Sequence, residues 1–378
     1  MSDSGSPALP RSIAIAGAWG YIGRKFVDAA AALGIETFVL DPGPAPADLE
    51  PGRLHLIEDE GEFYRLPADL FHLALHPEHR RLGMEILLSR SARESIAILC
   101  EKPMAPPERP GDCSRVVAEI EASRAVVLYD FPELYDPMTR RIVDFLGSFR
   151  EIEITHVELC RSKDREDPDN RRNYKRMVTI QYQESVHCIA FALYLLAHAR
   201  RGLGAALSGG VVARADAEPY LPPNPEAYSH AVDGRCAYEL KLGGATIKGR
   251  TDFKRGAPWT KRRVIRGSGD GRAFVIEAEY LEKHKYLAID GVRQDFDPQA
   301  DSYAAVIRAL AAWCRDVPRE ELMHGLYPHP TFARWTYQLS SVLWRSGWER
   351  RHIALDSAEK LAEFDAGYAS VLPKLRRY

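Results

Sequence analysis

The feature that most constrains the fold lies at residues 12–23. Residues 12–16 (SIAIA) form a near-continuous apolar run, as expected of a strand buried on both faces. Gly17, Ala18, Trp19, Gly20, Tyr21, Ile22 and Gly23 follow, and an Ala-rich helical pattern then runs to residue 33, where Gly34 ends it. Strand, glycine-rich turn and helix in that order open a βαβ unit. Residues 35–40, 70–75, 96–99 and 125–128 read as further strands, with helical patterns at 78–88 and 114–122. Strands alternating with helices imply a parallel sheet with helices on both faces.

The character changes near Asp130. A helical pattern at 138–145 leads into residues 151–159 (EIEITHVEL), which alternate polar and apolar as a strand with one wet face does. Residues 186–197 form a strongly apolar helix pattern. Residues 235–242 and 245–253 are joined by Gly243 and Gly244, a two-residue hairpin turn. With further runs at 274–278 and 285–289, these strands imply an antiparallel sheet. Helices at 302–314, 330–346 and 357–368 close the chain. The expected architecture is α/β: an N-terminal Rossmann domain with a doubly wound parallel sheet, then an α+β domain with an open, mainly antiparallel sheet. Its expected bounds are a flexible tail at 1–10, a dinucleotide-binding domain at 11–128, and a substrate-binding and oligomerisation domain at 129–378. The closing helices are allowed to pack back on the first domain.

Composition excludes several classes. The 378 residues are 46% hydrophobic and 28% charged, which argues against a disordered or fibrous chain. A formal charge of −2 gives no bulk attraction to nucleic acid or anionic membrane. No window reads as a transmembrane helix or a secretory signal. The six cysteines are dispersed and form no CxxC pair, so no disulfide framework and no metal site are expected, and the chain reads as cytoplasmic.

The glycine turn is a spacing variant, GxxGxxG, of the dinucleotide fingerprint. Its glycines allow a tight turn and close approach of the backbone to a pyrophosphate, which the helix N-terminus favours. Gly17, Ala18, Trp19, Gly20, Tyr21 and Ile22 are therefore the candidate cofactor contacts. Asp41, 24 residues after Gly17, stands where an acid accepts hydrogen bonds from ribose hydroxyls. An acid there repels a 2′-phosphate, so NAD is favoured over NADP. At the end of the fifth strand stand Cys100, Glu101, Lys102 and Pro103. Ligands of doubly wound sheets bind at strand carboxyl ends, which aims Lys102 at the cofactor cleft. Beside a cationic nicotinamide its pKa should fall, which suits proton transfer.

A strand followed by Glu-Lys-Pro, after an N-terminal glycine fingerprint, resembles the Gfo/Idh/MocA oxidoreductases. The resemblance extends over Leu134, Tyr135, Asp136 and Pro137, the antiparallel sheet and the closing helices. It implies contacts from Glu101 and Lys102 to the cofactor, a catalytic role for Lys102, and a cis bond before Pro103. The family's Asp-x-Gly-x-His motif is matched by Gln183, Glu184, Ser185, Val186 and His187. His187 keeps the histidine and is the second catalytic candidate. Gln183 replaces the aspartate and cannot take a proton. Glu184 is adjacent, but α-helical geometry turns it about 100° away. After the fourth strand, His76 takes the place of a segment that packs near the nicotinamide in relatives, and is a further cofactor candidate.

The loop 161–176 holds seven basic and four acidic residues, and lines the substrate cleft in the family. Arg172, Tyr174 and Lys175 are candidates there for a carboxylate or phosphate, with Gln183 and Glu184 beside them. A second basic stretch, 254–266, reads as an exposed hairpin end. The expected activity is hydride transfer between nicotinamide and a carbonyl, alcohol or imine carbon of a small polar molecule, such as a sugar or secondary-metabolite intermediate. Redox-neutral NAD-dependent elimination or hydrolysis, C=C or C=N reduction, and a non-catalytic NAD-binding scaffold remain open alternatives. Expected partners are a small-molecule substrate and further copies of the chain, as a homodimer or homotetramer through the C-terminal sheet, with no nucleic acid and no membrane.

Overall fold

Every residue of the run Ser12–Ala16 is buried, and it forms strand β1. The computed structural model describes residues 9–48, 52–281, 283–297 and 301–375, so most of the tail expected at 1–10 lies outside the described residues. The chain divides into two compact units. The first takes in Met1–Pro106, Gly111–Pro137 and Ala300–Arg334; the second takes in Pro107–Pro110, Met138–Gln299 and Trp335–Tyr378.

In the first unit, β1 is joined by β2 (Glu36–Leu40), β3 (Leu54–Leu56), β4 (Leu70–Leu73), β5 (Ala97–Glu101) and β6 (Val126–Asp130). All pair in parallel, in the order β3-β2-β1-β4-β5-β6. The order reverses beside β1, the switch point of a doubly wound sheet. Helix α1 (Tyr21–Ala32) buries Phe26, Val27, Ala29 and Ala30. It ends as the sequence predicts. Gly34 has φ +70°, its N–H donates to the Ala31 carbonyl, and the Ile35 N–H donates to that of Ala30. These paired bonds satisfy carbonyls that the helix terminus would otherwise leave open. Helices α2 (Arg81–Arg90) and α3 (Gly111–Glu121) follow β4 and β5.

The far edge of β6 is covered by a later part of the chain. The Val127 N–H donates to Met323 Sδ at 3.4 Å, and the Tyr129 N–H to the Pro328 carbonyl at 2.8 Å. The Arg319 guanidinium donates to the carbonyls of Ser123 and Ala125, at 2.8 and 3.1 Å. An edge strand whose N–H groups are taken in this way no longer invites pairing with another chain.

The second unit holds a sheet of β7 (Ile152–Ser162), β8 (Val211–Pro219), β9 (Asp233–Leu242), β10 (Ala245–Asp252), β11 (Thr260–Gly269), β12 (Arg272–Glu279), β13 (Tyr286–Ile289), β14 (Val292–Asp295) and β15 (Ile353–Leu355). The order is β14-β13-β12-β11-β7-β10-β9-β8-β15. Within this sheet, only β7 and β10 pair in parallel among the described strands. Gly243 and Gly244, at φ +56° and +82°, make the β9–β10 hairpin as expected. The helix Val186–Ala199 buries all of its residues except His198, which explains its apolar composition.

The basic stretch 254–266 is not the exposed hairpin end expected of it. Its second half is β11, between β7 and β12. Arg262 pairs outward with Glu277 at 2.9 Å, and Arg266 with Glu158 at 3.5 Å. Arg263 is fully buried. Its guanidinium donates to the carbonyls of Cys160 and Arg262, both at 2.9 Å, and lies over the Phe191 ring. Burying a cation is costly unless it is hydrogen-bonded, and these two bonds to carbonyls of the sheet offset part of that cost. All six cysteines are free thiols, four of them buried. No helix among the described residues is long and apolar enough to cross a membrane.

Candidate functional site

The glycine turn is built so tightly that side chains cannot replace its first and last glycines. Gly17 has φ +78°, and a Cβ on it would lie 2.7 Å from the Ala74 carbonyl oxygen and 2.9 Å from Leu75 Cδ2. A Cβ on Gly23 would lie 2.1 Å from the Gly17 carbonyl oxygen, so α1 rests on the turn itself. Gly20, the N-cap, meets only that oxygen, at 3.2 Å. No side chain caps the first turn of α1, and no acidic residue sits in it. The positive end of the helix dipole is therefore left for an outside anion.

Ala18 is fully buried, while Tyr21 is 46% exposed. Trp19 is half-buried, with an indole Nε1 that is buried and has no hydrogen-bond partner. Asp41 is tied to the turn: it accepts from the Trp19 N–H at 2.9 Å and the Gly43 N–H at 2.8 Å. A carboxylate offers about four lone-pair positions, so two remain for ribose hydroxyls. Arg24, in the first turn of α1, is engaged by Asp28 and Asp48. The residues present thus fit a dinucleotide.

At the ends of β4 and β5 the structure brings His76 and Lys102 into one electrostatic neighbourhood. Burial holds the His76 imidazole below its ordinary pKa, helped by the charges of Arg80, His79 and Lys102 and opposed by Glu78. The Lys102–Pro103 bond is cis. Arg80, which sequence reading missed, is buried and joins these two segments. Its Nε donates to the Leu75 carbonyl at 2.7 Å and its guanidinium to the Pro103 carbonyl at 2.9 Å.

Glu101 is buried in the sheet ends, where His72 Nε2 lies 3.1 Å from its Oε1 and Asp130 is its neighbour across the β5–β6 pair. Burial opposes ionisation of Glu101, but the His72 contact, the Asp130 hydrogen bond and the Lys102 charge together outweigh it and hold the carboxyl below its ordinary range. Asp130 goes the other way. Burial, then the Glu101 charge, pushes it well above the usual carboxylate range. Its two oxygens find no donor among the described residues. A protonated Asp130 resolves this, because it then donates to Glu101.

In the second unit, the candidate histidine segment does not wind as an ordinary helix. Gln181–Ser185 is a π-helical turn that leads into Val186–Ala199, with His187 buried in the first turn of that helix. The expected 100° offset of Glu184 assumed α geometry, and the wider π turn removes that premise. Such turns recur at functional sites. The Gln183 side-chain oxygen accepts the Val178 N–H at 3.1 Å. Glu184 is buried and ion-paired with Arg161 and with Lys163, the latter at 3.1 Å. Arg172, Tyr174 and Lys175 are exposed around the turn Arg171–Tyr174. Sequence reading missed Lys163 and Arg165, which lie over the ring of buried Phe253, at 5.1 and 5.9 Å from its centroid.

The π turn is anchored by Asp233, which accepts from Gln181 Nε2 at 2.8 Å and Thr179 Oγ1 at 3.2 Å. Burial pushes Asp233 up to about 6. Because the folded-state pKa is raised, the stabilising effect of the protonated group is full below about pH 4 and is lost as pH rises through about 6. A tenfold change in proton affinity corresponds to about 1.4 kcal/mol. The Asp233→Asn variant is therefore expected to be more stable than wild type by about 1–2 kcal/mol at pH 8, with the gain absent at pH 4. Urea unfolding at the two pH values measures this, and an equal effect at both would remove the ionisation argument. No group of three His, Cys, Asp or Glu that could hold a metal ion occurs among the described residues.

No protein-family model matches the sequence, and no curated protein is similar to it in sequence. Solved structures are similar in fold over nearly the whole chain. A myo-inositol dehydrogenase from Corynebacterium glutamicum superposes at a TM-score of 0.65 and 16% identity, covering 93% of this chain and 100% of that one. An oxidoreductase from Agrobacterium radiobacter, solved with NAD+, L-tartaric acid and magnesium, gives 0.63 and 13%, covering 91% and 98%. A super-repressor mutant of Gal80p from Saccharomyces cerevisiae gives 0.69 and 10%, covering 94% and 100%. At these identities the likeness is one of fold, and the chain carries the fold of the Gfo/Idh/MocA-type oxidoreductases.

Proposed function

We propose that the protein is a nicotinamide-dinucleotide-dependent oxidoreductase of the Gfo/Idh/MocA family that prefers NAD. The observation that carries this reading is the glycine turn, closed by Gly17 and Gly23 and tied to Asp41, on a fold shared with dehydrogenases. A bound nicotinamide would supply or accept the hydride. The chain's own groups do the rest. The turn admits the pyrophosphate, Asp41 accepts from ribose hydroxyls, and His76 and Glu101 belong to the cofactor side. Lys102 hydrogen-bonds the substrate oxygen and takes its proton when an alcohol is oxidised, or returns it when a carbonyl is reduced. His187 is the second acid–base group, and Gln183 orients by hydrogen bonding alone. The substrate is a small polar molecule with a carbonyl, alcohol or imine carbon. The protein is further read as cytoplasmic and as a homodimer or homotetramer through the second sheet.

Titration with NADH, followed by its fluorescence, tests the reading. NADH is expected to bind more tightly than NADPH by at least about tenfold, or 1.4 kcal/mol, because Asp41 repels the 2′-phosphate. Failure to bind either cofactor would overturn it. Two observations favour other outcomes. Gln183 in place of an aspartate favours redox-neutral chemistry, which would turn over with no net NADH formed. The fold shared with Gal80p favours a non-catalytic role, in which cofactor binds and nothing turns over.

A further inference from the structure

Past the ends of β7 and β10 the strand ladder continues. The Lys163 N–H donates to the Asp252 carbonyl at 3.0 Å, and the Arg165 N–H to the Phe253 carbonyl at 3.1 Å. The Arg165 carbonyl is held in turn by the Tyr220 hydroxyl at 2.6 Å. Two cations two residues apart are thus fixed on one face of the extended strand, over one aromatic ring.

The carboxylates around them are already engaged. Glu184 is shared by Arg161 and Lys163. Glu166 is held by Lys254 and by the N–H groups of Leu221 and Arg255. Asp164 accepts the N–H groups of Glu166, Asp167 and Gly256. Asp252 is taken by Arg235 and Arg250. The Arg165 side chain forms no ion pair with any described residue, and its Nε is buried without a hydrogen-bond partner. Its charge is felt by Lys163 and by Lys175, so the neighbourhood carries surplus positive charge. A guanidinium held on a ring, in no ion pair and with a lysine beside it, is prearranged for a bidentate oxyanion.

We propose that Arg165 and Lys163, seated on Phe253, bind an oxyanion group of the substrate, a carboxylate or a phosphate. That the bound molecule is the substrate rests on the oxidoreductase reading above. The site adjoins it through Glu184, in the π turn that leads to His187.

The test is calorimetric titration of the full chain with malonate and, separately, inorganic phosphate, at constant ionic strength set with chloride. One of the two is expected to bind with a Kd of about 1–10 mM, and which one binds identifies the group. Arg165→Met keeps the apolar stem on Phe253 and is expected to weaken binding at least about tenfold. Arg165→Lys should fall between, and Arg262→Met, in the outward pair with Glu277, should bind as wild type does. Circular dichroism checks that each variant is folded. No binding of either anion by wild type, or equal binding by Arg165→Met, overturns the proposal. NADH titration of the same samples separates the two readings. Wild type that binds NADH but no anion fails this inference alone. Arg165-dependent anion binding without NADH binding fails the oxidoreductase reading and leaves the anion site standing.

Discussion

Replacing Lys102 by Met is expected to lower kcat by at least about tenfold, within the range that a positioned proton-transfer group contributes. NADH affinity should stay close to wild type, since methionine keeps most of the side-chain length and the glycine turn is untouched. The segment holding Lys102 is fixed by Arg80, whose buried guanidinium ties the Pro103 carbonyl to the end of β4. Loss of the amine should therefore leave the backbone in place, so a fall in kcat reports chemistry rather than collapse. Steady-state turnover beside NADH titration on the same preparation measures both, and unchanged turnover would remove Lys102 from the mechanism.

The second large effect is expected at Gly23. An added Cβ would lie 2.1 Å from the Gly17 carbonyl oxygen, a contact that backbone must move to relieve. Gly23→Ala should cost about 1–3 kcal/mol of stability, as overpacking does. It should also weaken NADH binding, because moving α1 away from the turn moves the N–H groups that would face the pyrophosphate. Gly20→Ala is the informative partner. Gly20 has φ −59°, which alanine adopts, and its Cβ meets only the Gly17 oxygen, at 3.2 Å. Stability should change little there, whereas NADH affinity should fall if the phosphates pass over that position. Thermal unfolding and NADH titration of both variants distinguish a turn that merely packs from one that receives a ligand.

Much of the first unit is legible because its signals are local. A near-continuous apolar run, a glycine turn and a glycine stop define β1 and α1 without reference to anything distant. Lys102 is legible through the motif around it. What surrounds it is not, because His72, Glu101 and Asp130 come from three strands and are assembled only by sheet order. Strand β11 is hidden by its own charge. Arg262 and Arg266 are neutralised by Glu277 and Glu158 on neighbouring strands, so the local sequence looks like a solvated loop. The π turn before His187 has no local mark either, since the acid that anchors it, Asp233, lies about fifty residues further on. Lys163 and Arg165 did carry a signal. That signal is only the alternation of cations at 161, 163 and 165, since residues 161–165 are all polar and the polar–apolar period of β7 has already stopped, although the strand runs on to Ser162.

The cover on β6 bears on the order in which the molecule can be made. Its N–H groups at Val127 and Tyr129 find their acceptors almost two hundred residues downstream, at Met323 and Pro328. During synthesis the six strands of the parallel sheet leave the ribosome long before the segment that closes them. At about 5–20 residues per second, that edge stays open for roughly ten to forty seconds. A fragment ending near residue 137 would keep the whole dinucleotide fingerprint and still present a bare strand to its neighbours. Adding residues 301–334 back in trans should suppress the resulting association, which would mark this remote stretch as an intramolecular chaperone for the nascent sheet.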